Sequence, residues 1–245
     1  MAPSQIPLEL QIEKDASFES FYAGENSALI DTLSTIASSS ERRSLMLLTS
    51  QGRLGKSHLL QATANRANDL GRSAIYLSLK DLADFLEASN ELPAELVEMA
   101  MQQEIVCLDD LQIVPRVTPP LRNILERFCF VVINEQILHS AYSLVIGCSE
   151  AIEGLQFDLA DLHSRLSLAR HYQIARMDDR SLTRLLQFRS ERLGLEMNDD
   201  VADFLLRRCA RNPASLVAAL DALDRYSMAQ SRRLTIPLVK QALDL

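Results

Sequence analysis

Residues 50–57, Ser50-Gln51-Gly52-Arg53-Leu54-Gly55-Lys56-Ser57, set the architecture of this chain. They follow the apolar run SLMLLTS (44–50) and open the helical pattern HLLQATANRANDL (58–70). Strand, glycine-bearing loop and helix in that order let backbone N–H groups turn inward on a phosphate at a helix N-terminus. Gly55 frees the turn, Lys56 is spaced to reach β and γ phosphates, and Ser57 supplies a hydroxyl for Mg2+. Two positions depart from the pattern: Ser50 stands where its first glycine belongs, and Arg53 fills a place that is often small. A chance Gly-Lys-Ser turn at a helix start is the plain alternative.

A second motif supports the phosphate reading. Ile105-Val106-Cys107-Leu108-Asp109-Asp110 is an apolar strand ending in carboxylates, the element whose first Asp holds Mg2+ in phosphate-loop proteins. A helix-capping Asp after a core strand is its bland counterpart. Around these motifs, apolar runs recur at 44–50, 73–79 (SAIYLSL), 104–110 (EIVCLDD), 143–149 (SLVIGCS) and 171–176 (HYQIAR), separated by helix-length segments. Short runs rich in Leu, Ile and Val with that spacing predict strands of a parallel sheet buried on both faces. The expected fold is α/β, with five βα units in a base over residues 16–176.

After Arg176 everything reads helical. Asp178 or Asp179, Asn198, Asn212 before Pro213, and Thr235 with Pro237 in the first turn are helix-start signals, giving four helices over 177–245. The first fifteen residues, with two prolines and no helical period, read as an extended tail. With 33 acidic against 25 basic residues, the chain is ill suited to wrapping bare DNA, which is held by cations neutralising phosphates. Cys107, Cys129, Cys148 and Cys209 form no C-x-x-C pair, so a reducing cytoplasm is expected and a structural zinc is not. No segment reads as a signal peptide, and the longest apolar stretch, residues 128–133, falls far short of the roughly 20 residues that span a bilayer.

GKSHLL after the phosphate loop, CLDDLQ at the carboxylate strand and DLHSRL at 161–166 resemble the DnaA-type replication initiators of the AAA+ class, with FESFYAGENSALIDTL similar to that family's opening box beside the adenine. Initiators continue into a helix-turn-helix DNA-binding domain, whereas this chain stops after LTIPLVKQAL. That layout, and the closing LDRYSMAQSRRLTIPLVKQALDL, are similar to the Hda family, DnaA-homologous inactivators of the initiator. The resemblance implies a five-stranded AAA+ base with a small all-α lid, ADP or ATP with Mg2+ as ligand, and a phosphate site built from residues 50–57 and Asp109, with Ser57 and Asp109 on the metal. It also implies that residues 5–10, QIPLEL, dock on the DNA polymerase III β sliding clamp. An extended peptide lays its main chain along a partner, Leu8 and Leu10 fill apolar pockets, and Gln5 beside Ile6 offers an oriented amide. A terminal edge strand is the alternative for this hexapeptide.

The family places its arginine finger at Arg165, where it reaches the γ-phosphate of nucleotide on a neighbouring subunit. The cis equipment is weaker. Ser149 stands where a polar residue holds the attacking water, and Asp110 replaces the Glu common in strong ATPases. Ala214 replaces the lid's phosphate-sensing Arg, with Arg208 or Arg211 as imperfect substitutes. The expectation is a clamp-tethered negative regulator of replication initiation that promotes hydrolysis of ATP on the DnaA initiator, touches DNA only through the clamp, has little ATPase of its own, and is open to self-association. An ATP-consuming loader or remodeller of the replication machinery is the alternative.

Overall fold

A computed structural model describes residues 16–39, 43–89, 92–140, 142–230 and 234–244. The clamp-like segment with Gln5, Ile6, Leu8 and Leu10 lies outside the described residues. The chain divides into two compact units. The first comprises 28–50 and 56–174 with residues up to Phe18; the second comprises 19–27, 51–55 and 175–245.

The first unit holds α1 (Ser27–Ser38), β1 (Leu45–Thr49), α2 (Lys56–Asp69), β2 (Ala74–Ser78), α3 (Leu79–Ser89), α4 (Ala94–Met101), β3 (Ile105–Asp109), α5 (Pro119–His139), β4 (Ser143–Cys148), α6 (Ala160–Leu166) and β5 (Arg170–Gln173). The strands form one sheet in the order β2-β3-β4-β1-β5, every pair parallel. Each expected strand is present, and each has a physical reason. Every residue of β3 and β4 is buried, as uninterrupted apolar runs require when helices cover both faces. The run 128–133 falls in α5, where Phe128, Cys129, Val132 and Ile133 enter the same core as Leu47, Leu77, Leu108 and Ile146. Thr118 precedes α5 and Pro119 opens it, where the missing N–H costs nothing.

The run HYQIAR departs from expectation. It forms β5 at the sheet edge, paired with β1 alone, with Arg170, His171 and Gln173 exposed rather than buried on both faces. Charged and polar side chains on an edge strand discourage pairing with another chain. Only Ile174, just past the strand, is fully buried, and its N–H bonds the Thr49 carbonyl at 2.8 Å.

The second unit is built on α7 (Asp179–Arg192), α8 (Asp199–Arg208), α9 (Pro213–Gln230) and α10 (Ile236–Leu243). Their starts are capped as the sequence indicates. Asp178 accepts from the Ser181 N–H at 2.7 Å, which settles the choice against Asp179. Asn198 accepts from Val201, Asn212 from Ser215 and Thr235 from Leu238. The Asn198, Asn212 and Thr235 caps each contribute about 1 kcal/mol. Leu182, Leu186, Val201, Leu205, Leu216, Leu220 and Val239 form the core of these helices, and Tyr22 from the opening segment packs there, its ring 5.9 Å from Phe188. No helix among the described residues is long and apolar enough to cross a membrane.

Candidate nucleotide site

The sheet brings the C-terminal ends of β1, β3 and β4 side by side, and the sequence-predicted residues Ser50, Lys56, Ser57, Asp109, Asp110 and Ser149 lie at or just beyond those ends. Lys56, first residue of α2, is buried to 8% exposure, and its Nζ donates to Ser50 Oγ at 3.2 Å. Ser50 in turn gives its N–H to the Cys148 carbonyl, tying the start of the loop to β4. The hydroxyl at the motif's first position thus acts as a seat for the lysine, a use a glycine cannot serve.

Asp109 is fully buried at the end of β3. One carboxylate oxygen accepts from the Tyr76 hydroxyl at 3.1 Å and the other from the Asp110 N–H at 2.8 Å. Burial, with Asp110 adding to it, pushes the Asp109 carboxyl above the usual carboxylate range, while bonds from Ser57 and the Asp110 N–H and the Lys56 charge pull it back down. Ser57 and Asp109 therefore stand in contact, two hard oxygen donors beside an ammonium, the chemistry a Mg2+ ion and a phosphate require together. Burial and the Asp109 carboxylate push the Tyr76 phenol well above its ordinary value, so it remains a donor. The three buried thiols Cys107, Cys129 and Cys148 are likewise pushed up by burial and behave as small core groups.

Asp110 takes a left-handed conformation, φ 62°, uncommon for a residue with a side chain. Gln112, in the 3-10 turn Leu111–Arg116, donates to its Oδ1 at 2.8 Å and accepts the Ser149 N–H at 2.9 Å. One buried amide thus joins Asp110 to Ser149, the two positions at which the family resemblance leads one to expect a hold on attacking water. Residues 51–55 group with the second unit. There Gly52 and Gly55 have φ of 87° and 92°, Leu54 is buried, Arg53 is exposed, and Gln51 accepts a hydrogen bond from Arg176. A Cβ on Gly55 would meet the Phe21 ring at 2.7 Å, a second reason for glycine. Arg165 stands elsewhere on the first unit, in α6, with its guanidinium 5.8 Å from the centroid of the Phe130 ring.

Sequence reasoning missed Tyr76, Gln112 and Gly147. Only Gly147 carried a signal, an isolated glycine inside a buried strand, which marks close approach of another group. A Cβ there would collide with the Asp109 carboxylate and with Leu60 Cδ1, the latter at 2.7 Å. Gly147→Ala is therefore expected to cost about 1–3 kcal/mol by overpacking and to weaken Mg-nucleotide binding. Denaturant titration and a nucleotide-binding assay check it, and a variant as stable and as tight as the parent contradicts the packing described.

Residues 178–243 match the family model for the Hda lid domain. Over 241 residues the chain is 34% identical to an uncharacterised protein of Haemophilus influenzae, covering 98% of this chain and 99% of that one. Among solved structures it is similar to domain III of the replication initiation protein DnaA from Thermotoga maritima, with a TM-score of 0.75 and 22% identity, 94% of this chain and 96% of that one being covered. AMPPCP-bound DnaA from Aquifex aeolicus gives a TM-score of 0.72 at 20% identity, over 86% of this chain and 65% of that one. At such identities the structural likeness speaks for the fold. The lid match and the shared fold together make this an Hda-like, DnaA-homologous AAA+ protein.

Proposed function

We propose that this protein is a negative regulator of replication initiation: tethered to the sliding clamp through residues 5–10, it presents Arg165 to ATP held by the DnaA initiator and drives that ATP to ADP. Its own phosphate loop binds ADP or ATP with Mg2+ and turns ATP over slowly. Lys56 and the residues 50–57 hold the phosphates in this reading, and Ser57 and Asp109 hold the metal, which screens phosphate charge when bound. Asp110 and Ser149 orient water. The binding of AMPPCP by DnaA proteins of the same fold supports adenine nucleotide as the ligand.

The observation that carries the reading is an imbalance in the chain's own equipment for nucleotide. Lys56, Ser57 and Asp109, the groups suited to phosphate and metal, come together in the first unit. The lid position from which the family reaches the phosphates is Ala214, in the first turn of α9. The two arginines nearest it in sequence are engaged within the lid, Arg211 paired with Asp179 at 3.3 Å and Arg208 over the Phe204 ring. A site that grips nucleotide without that cation suits a regulator better than a motor. Brisk hydrolysis by the isolated protein would favour a loader or remodeller instead.

The tether has its own test. Replacing Gln5 and Leu8 together by Ala is expected to abolish clamp binding, leaving melting temperature and nucleotide affinity unchanged, because a terminal tail contributes little to a core. Capture on immobilised clamp and a thermal melt read the two halves. Unfolding of the double variant would make the segment a structural strand and remove the docking role.

A further inference from the structure

Helix α5 carries Arg122, Glu126 and Phe130 at i, i+4 and i+8, one face of the helix. All three meet the segment that bears Arg165. Glu126 is 2% exposed, and its two oxygens accept the backbone N–H groups of Asp158 at 2.9 Å and Leu159 at 2.7 Å. Arg122 Nη1 reaches the Asp158 carboxylate at 3.3 and 3.4 Å. Leu159 immediately precedes α6, Leu162 and Leu166 are fully buried in the base core, and Arg165 lies over Phe130.

In a capping box the N–H of the cap residue is met by a Glu or Gln three residues on, within the same helix. Here the cap residue is Leu159 and that position is Leu162, which has no such group, and the acceptor comes from another helix 33 residues away in sequence. A local acceptor would leave α6 free to shift on α5. A carboxylate on α5 instead ties the segment leading into α6 in place. Burying that charge is costly unless its oxygens are satisfied, and two backbone donors satisfy them.

We propose that Glu126 is a positioning residue for Arg165: by holding the Asp158 and Leu159 N–H groups it fixes the start of α6 on α5, and thereby the place at which the guanidinium is offered to nucleotide on a partner. The inference rests on the reading of Arg165 as a finger acting in trans. Phosphoryl transfer is sensitive to such placement, since a displacement of about 1 Å costs on the order of 10²-fold in rate.

The experiment measures initiator-bound ATP hydrolysis with DNA-loaded clamp over a range of initiator concentrations, using full-length Glu126→Ala, Glu126→Gln and Arg165→Ala. Glu126→Ala is expected to lower kcat by about 10- to 100-fold with KM for the initiator, clamp capture and nucleotide affinity unchanged. Glu126→Gln, which keeps the arm and one acceptor oxygen, should restore part of that loss. Should the Ala variant fail to fold, the Gln variant decides, with a several-fold lower kcat expected. Unchanged kcat, or a change confined to KM or melting temperature, overturns the role given to Glu126. Arg165→Ala separates the two levels: if it abolishes hydrolysis while the Glu126 variants do not alter kcat, only this inference falls, and if it too is without effect, the finger reading falls first.

Discussion

Replacing Lys56 by Ala is expected to weaken binding of Mg-ADP and Mg-ATP by about 30-fold to several thousand-fold, the consequence of removing a buried charged partner worth about 2–5 kcal/mol. Lys56 is buried at the start of α2, its Nζ on the Ser50 hydroxyl, and its charge acts on Asp109. An ammonium sheltered from water and resting on a neutral hydroxyl is poised for an anion, and phosphate supplies one at a helix N-terminus. Calorimetric titration with each nucleotide reads the loss. An affinity within about threefold of the parent, under half a log unit by the same arithmetic, would mean that the loop does not grip phosphate through this residue.

Arg165→Ala carries the second large effect. An arginine supplied in trans accelerates phosphoryl transfer by about 10³–10⁵ because it stabilises charge building on the equatorial oxygens. Removing it should abolish stimulated hydrolysis on the initiator while leaving this protein's own nucleotide affinity and clamp binding intact. Its place on α6, separate from the Lys56–Asp109 cluster and held over Phe130, agrees with service to a partner. Lys should rescue poorly, since an ammonium lacks the planar fork that spans two phosphate oxygens. Lys would also change the contact with the Phe130 ring, whose centroid lies 5.8 Å from the Arg165 guanidinium.

Much of this fold was legible in the sequence, and the reasons it was legible are local. Four of the five apolar runs became strands buried as expected, because a strand covered on both faces has no polar alternative at any position. Asp178, Asn198, Asn212 and Thr235 announced their helices because capping depends on one short side chain and the residues after it. The order β2-β3-β4-β1-β5 was not readable, since pairing is decided between runs distant in sequence. For the same reason HYQIAR looked like a buried strand and became an edge.

In the candidate site, Lys56, Ser57 and Asp109, whose side chains suit phosphate and metal, stood out through their spacing. The residues that hold the candidate side chains and segments in place did not. Tyr76 hides in an apolar strand, Gln112 in an ordinary turn, and Glu126 among the charges of an amphipathic helix, and each acquires meaning only from what folds against it. Each is a single polar group placed by tertiary contact, so no periodicity or spacing in the chain could reveal it.

The most direct test of the account is the rate of ATP-to-ADP conversion on purified initiator with DNA-loaded clamp, comparing the parent protein with Arg165→Ala and Arg165→Lys at matched concentrations. The account predicts strong stimulation by the parent, none by the Ala variant and little by the Lys variant, with nucleotide content and clamp capture equal in all three. Unchanged stimulation by Arg165→Ala, or loss of the variant's own nucleotide, would contradict it: the first makes Arg165 a surface cation, and the second places it in this protein's own pocket.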